Sequence, residues 1–148
     1  MEILYQDDRL LAAVKPAGVL STDEPGGMPS LLRRALGDEA LSLRSVHRLD
    51  RAVGGVMVYA LTRRAAADLS RQIREGTFRK EYLAVVTGVP EKTSGVLRDY
   101  LHRDRDARKT YIVPEGSEEA QEAVLSYEIA AAREGLSLLR GELHRHTP

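Results

Sequence analysis

Apolar positions open the chain in two short blocks, Ile3-Leu4-Tyr5 and Leu10-Leu11-Ala12-Ala13-Val14, separated by the polar run Gln6-Asp7-Asp8-Arg9. The pattern predicts two strands about a turn. Lys15-Pro16-Ala17-Gly18 follows, with proline second and glycine fourth, which predicts a type I turn. Residues 22–29 are rich in proline and glycine and read as a loop. Ser30 is then placed to cap a short helix carrying Leu31, Leu32, Ala35 and Leu36, closed by Gly37. Residues 55–61 form an apolar strand. Thr62 follows as the N-cap of a helix running to about Glu75, with Ala65, Ala66, Leu69 and Ile73 on one face and Gly76 beyond its end.

The second half of the chain changes period. Residues 78–88 alternate, with Lys80, Tyr82, Ala84 and Val86 on one face and Glu81, Leu83 and Val85 on the other. Strands at 96–101 and 110–113 flank a charged segment, 102–109, read as an exposed hairpin tip, with solvated charges paired among themselves preferred over a contact with RNA. After a polar turn at 114–119, residues 123–129 alternate again, Glu134-Gly135 turns, and 136–143 make a last strand. Two helices among many short strands predict an α+β protein. There are no internal repeats or low-complexity tracts.

At 148 residues there is room for one domain with its own core. A charged fraction of 30% and an apolar fraction of 43% exclude a disordered chain. No apolar run approaches the roughly 20 residues that cross a bilayer. The N-terminus is acidic and lacks the basic start of a secretory signal. With no cysteine, disulfides, thiolate catalysis and cysteine-based metal sites are excluded, and a cytoplasmic protein is expected. Net charge is zero, but its distribution is uneven: residues 44–80 hold nine bases against three acids, and residues 115–148 hold seven acids against three bases. Such asymmetry would orient the protein on a phosphate backbone.

The candidate chemistry lies at Val46-His47-Arg48-Leu49-Asp50-Arg51-Ala52-Val53-Gly54-Gly55, just before the apolar strand. One carboxylate stands between two guanidiniums, which are expected to hold Asp50 ionised. The two glycines permit close approach of backbone or ligand. A held carboxylate beside cationic anchors suits a nucleophile acting on an anionic polymer. His144 and His146, two residues apart and without a cysteine nearby, make a poor ligand set, so no metal is expected.

His47-Arg48-Leu49-Asp50, Gly55, the Lys15-Pro16-Ala17-Gly18 turn and Lys80-Glu81-Tyr82 together resemble the RluA-type pseudouridine synthases, over nearly the whole chain. Val53-Gly54 stand where that family usually has Thr-Ser. The resemblance implies an α+β fold with a mixed, largely antiparallel bent sheet and a few flanking helices. It also implies isomerisation of uridine to pseudouridine in structured RNA, rRNA or tRNA, with no cofactor and no metal. By the same resemblance Asp50 is the nucleophile, attacking either the base or the sugar anomeric carbon, and Tyr82 stacks on the everted uracil. Arg48 fills the vacated space or contacts the backbone, and Arg51, Lys80 and His47 join it in holding the substrate. A monomer is expected.

The pattern departs from the family at the end. Family members continue into a Gly-Arg-Thr-His-Gln-Ile-Arg-like segment whose basic residue pairs with the catalytic aspartate. This sequence reads Glu142-Leu143-His144-Arg145-His146-Thr147-Pro148. The expectation is a catalytic domain lacking its C-terminal part, with unpaired sheet edges. A non-catalytic RNA-binding remnant is the alternative. A glycosidase-like hydrolase is disfavoured because no second carboxylate partner is evident.

Overall fold

The computed structural model describes residues 1–145 and resolves the chain into two compact units, 1–75 and 76 onward. His146, weighed above as a ligand, lies outside the described residues. The α+β class holds, and every strand pairing is antiparallel.

The first unit contains strands β1 (Ile3–Gln6) and β2 (Leu10–Lys15), helix α1 (Met28–Leu36), strands β3 (Arg44–Ser45) and β4 (Gly55–Ala60), and helix α2 (Arg63–Glu75). Its four-stranded sheet has the order β1-β2-β4-β3. Along β2, Leu11, Ala13 and Lys15 are buried in strict alternation, so the period of two selects the inner face. Opposite them, Met57 and Tyr59 on β4 are fully buried. The Tyr59 hydroxyl donates to the Ser21 carbonyl at 3.2 Å, and burial pushes its phenol pKa up. In α2, Thr62 caps as expected, its Oγ1 accepting the Ala65 N–H at 3.1 Å, with Ala65 and Leu69 on the buried face.

Two local expectations are corrected. Helix α1 begins at Met28 rather than at Ser30, with Gly27 at the cap and Pro29 in the first turn. Proline is tolerated there because its missing N–H would have no partner anyway. Met28 and Pro29 are therefore buried helix residues, not loop. The segment before them is fastened: Arg33 makes two 2.7 Å bonds to Asp23, and Met28 N donates to Leu20 O at 2.9 Å. The turn after β2 is also displaced by one residue. Val19 N donates to Pro16 O at 3.4 Å, which puts Gly18 third, with φ 90°, as a type II turn requires.

The second unit is one five-stranded sheet of order β5-β9-β8-β6-β7, made by β5 (Lys80–Thr87), β6 (Ser94–Asp104), β7 (Lys109–Val113), β8 (Gln121–Arg133) and β9 (Leu136–Arg145). Glu134 and Gly135 both take positive φ between β8 and β9, the geometry of a two-residue primed hairpin turn. One face gathers Leu125, Tyr127, Ile129, Leu139 and Leu143, all half-buried. The other carries a lattice of ion pairs: Arg79 with Glu81 and Glu142, Arg140 with Glu81 and Glu128, and Glu122 between Arg98 and Arg145. Strand β5 lies at the outer edge, with Leu83 and Val85 about 70% exposed (70% and 69%).

Candidate active site

The Asp50 segment is a tight turn between β3 and β4, held from below. Ser21, 4% exposed, is the central fastener. Its hydroxyl donates to Leu49 O at 2.6 Å and accepts from Leu49 N at 3.0 Å, clasping the backbone next to Asp50. The Ser21 carbonyl is itself held by Tyr59, so the clasp is fixed to the core of the first unit. Leu49 points inward with 9% exposure, and alternation turns Asp50 outward, where it is exposed. Val53 N closes the turn onto Asp50 O at 3.0 Å.

Lys15 is the second fastener. Its side chain is fully buried, and its ammonium donates to Val19 O at 2.6 Å, Pro16 O at 3.2 Å and Arg51 O at 3.3 Å. Gly18 N reaches the same Arg51 carbonyl at 2.7 Å. Burial pushes the Lys15 pKa down, and the negative charge of Asp50 pulls it back up. A buried ammonium needs such partners, since an uncompensated one costs several kcal/mol. A lysine opening a Pro-Gly turn is ordinarily solvated. Here it is buried, with its ammonium spent on three carbonyls around the turn that carries Asp50.

The arginines behave differently from the expectation. Arg51 turns its Nε to Gly18 O at 3.0 Å. Among the described residues neither Arg48 nor Arg51 forms an ion pair with Asp50, and Arg48 is exposed. The two guanidiniums flank the carboxylate in sequence, but one is drawn onto the neighbouring turn. His47 is a backbone partner too. Its Nε2 accepts the Val58 N–H at 3.0 Å, where β3 has stopped, so the imidazole extends the β3–β4 ladder by one bond. That bond assigns the proton to Nδ1 in the neutral ring.

The glycines after the turn serve backbone contact. A side-chain carbon on Gly54 would sit 3.4 Å from both Lys15 O and Ala17 N, and Gly55 has φ 154°, which L residues rarely adopt. The turn bearing Asp50 thus lies against the turn after β2, close enough for a side-chain carbon at position 54 to make van der Waals contact with it. The Val53-Gly54 pair, where hydroxyl residues are usual in the family, leaves this packing intact.

Tyr82 and Lys80 belong to the second unit, on the same face of β5 and both half-buried. Tyr82 stands opposite Gly141 on β9, and beyond it come Tyr127 and Gly95, giving a row across four strands in which tyrosine and glycine alternate. Gly141 puts no side chain beside the Tyr82 ring. A Cβ on Gly95 would lie 3.1 Å from the Tyr127 ring. Among the described residues no group of three His, Asp or Glu side chains could hold a metal ion. A depression of about 450 Å³ beside the β8–β9 turn, lined by Val85, Arg133, Leu136 and Leu138 among others, contains none of these residues.

A family model described as RNA pseudouridylate synthase matches residues 9–145. The chain belongs to that family. Among curated relatives, the dual-specificity RNA pseudouridine synthase RluA of Escherichia coli K12 is 42% identical over 99 residues, 64% of this chain and 44% of that protein. An uncharacterized RNA pseudouridine synthase, YhcT of Bacillus subtilis 168, is 30% identical over 97% of this chain and 49% of its own length. The chain thus spans about half the length of the curated relatives it matches. The solved structure of human RNA pseudouridylate synthase domain containing 4 superposes with a TM-score of 0.80, at 26% identity, covering 99% of this chain and 60% of that one. The RluA-type family that the His47–Asp50 and Lys80–Tyr82 segments resemble is thus the family to which the chain belongs.

Proposed function

We propose that this chain carries the catalytic segment of an RNA pseudouridine synthase, acting on uridine in structured RNA, ribosomal or transfer, with Asp50 as nucleophile. The observation that carries this reading is the family match running from β2 through β9, with Asp50 outward on a turn fastened by Ser21 and Lys15. A nucleophile must be both exposed and fixed, and that combination favours Asp50 over the other surface acids. That the Escherichia coli relative is a dual-specificity RNA pseudouridine synthase supports RNA as the substrate.

In the reaction the N1–C1′ bond of uridine breaks and a C5–C1′ bond forms; N1 gains a proton and C5 loses one. The Asp50 carboxylate adds to the base or to the anomeric carbon, holds one fragment while the uracil turns, and leaves again. No cofactor has a part in this scheme. The uridine is taken out of its stack first. Tyr82 offers a ring for the everted base, opposite Gly141, which has no side chain to set against it. Arg48, exposed and without an ion-pair partner among the described residues, contacts the RNA backbone or fills the gap. Lys80 and Arg51 add positive charge, and His47 positions the turn through Val58. RNA tritiated at uridine C5 tests the proposal. Release of tritium with the native chain and a drop of about a thousandfold or more in Asp50→Ala is expected, the scale for loss of a nucleophile. Undiminished release from Asp50→Ala would overturn it.

A further inference from the structure

The charged tip of the β6–β7 hairpin does not behave like the rest of the second unit. In the sheet, Arg79, Arg98, Arg140 and Arg145 each meet a glutamate. At the tip, Arg105, Arg108 and Lys109 are exposed and form no ion pair among the described residues. The self-pairing expected from the alternating sequence is not formed by these three, and the reason lies in the turn. Asp104, half-buried and paired across the ladder with Lys109, accepts the Ala107 N–H on its Oδ1 at 2.8 Å, which ties one carboxylate oxygen to the turn backbone. Arg108 has φ 53°, a conformation uncommon for a residue with a side chain. On β7, Tyr111 is 47% exposed and shares a face with Lys109, across from His102.

We infer that this hairpin is an RNA-backbone contact, in which Arg105, Arg108 and Lys109 engage phosphates and Tyr111 offers a ring beside them. Cations without ion-pair partners can neutralise phosphates and so displace the counterions condensed on the nucleic acid, a large, salt-dependent part of its binding. An exposed ring beside unpaired cations is the pairing of features that tracks single-stranded segments. Because phosphates carry no sequence, the hairpin contributes affinity and orientation, not choice of uridine. The inference rests on the RNA reading of the preceding subsection, but it concerns binding and not the chemical step.

The test is fluorescence anisotropy with two labelled RNA stem-loops of different sequence, each with uridines in the loop, across a salt series. The triple variant R105Q/R108Q/K109Q is expected to bind both at least about tenfold more weakly at roughly 0.1 M salt, with the log–log salt slope reduced by about 2 to 3. R105K/R108K, which keeps the charge, should retain most of the affinity, and Arg133→Gln should match the native chain. Single variants R105Q and R108Q, each reducing the slope by about 1, guard against misfolding of the triple variant. Unchanged affinity and slope in the triple and single variants would overturn the inference. Tritium release measured in parallel separates the two proposals. Native release with unmoved binding sinks the hairpin alone, and weakened variant binding without native release sinks the catalytic reading alone.

Discussion

Ser21 and Lys15 hold the candidate site from within, both of them buried. Both reach the backbone on either side of Asp50, one through a hydroxyl and one through an ammonium. Ser21→Ala leaves the Leu49 N–H and carbonyl without that partner, and a loss of about 1–3 kcal/mol is expected in urea unfolding. Lys15→Met keeps the volume but deprives three carbonyls of a donor, and should cost on the order of 3 kcal/mol by the same measurement. A change below about 0.5 kcal/mol in both would show that the turn holds itself. Neither role was legible in the sequence. A serine seven residues before a helix has no local signature, and a lysine preceding proline looks like any turn lysine. What makes them matter is a contact made some thirty residues along the chain.

At the scale of elements, the periodic parts were readable and the junctions were not. Strand β2, helix α2 and the Thr62 cap follow from alternation, a 3.6-residue stripe and a hydroxyl at the boundary. The start of α1 was misjudged because Gly27 caps without a side-chain bond, whereas the sequence offered a serine three residues later. The two-residue β3 carries no pattern of its own and exists because Arg44 and Ser45 pair with Ala60 and Tyr59. The junction into β4 is where a single methyl group should matter most. Gly55→Ala, at φ 154° with Leu49 Cδ1 at 3.4 Å, is expected to destabilise by about 1–3 kcal/mol. Thermal unfolding reads this directly, and an unchanged midpoint would mean that the turn re-forms without strain.

Over the whole molecule, stability depends on pH through carboxylates spread over both units. Backbone N–H groups of Leu10 and Arg9 hold the Asp7 carboxyl below its usual range, as Arg33 does for Asp23 and Arg79 for Glu142. With folded pKa values below the unfolded 3.8 to 4.5, each contribution is complete above that range and is lost as pH falls through the folded values. The thermal midpoint should be level from about pH 7 to 5 and drop below about pH 4. A midpoint unchanged down to pH 2.5, or rising on acidification, would contradict this account.

The outer strand β5 has a further effect in solution. Eight residues of backbone end the sheet, with a leucine and a valine uncovered on one face, in a chain whose formal charges cancel at pH 7. Nothing electrostatic then keeps two molecules apart at the pH where most assays are run, and such a border invites a neighbour to add its own strand. Association through this rim is expected to be strongest near neutrality and to weaken as the pH moves away and the molecules gain net charge, which light scattering across a pH series checks.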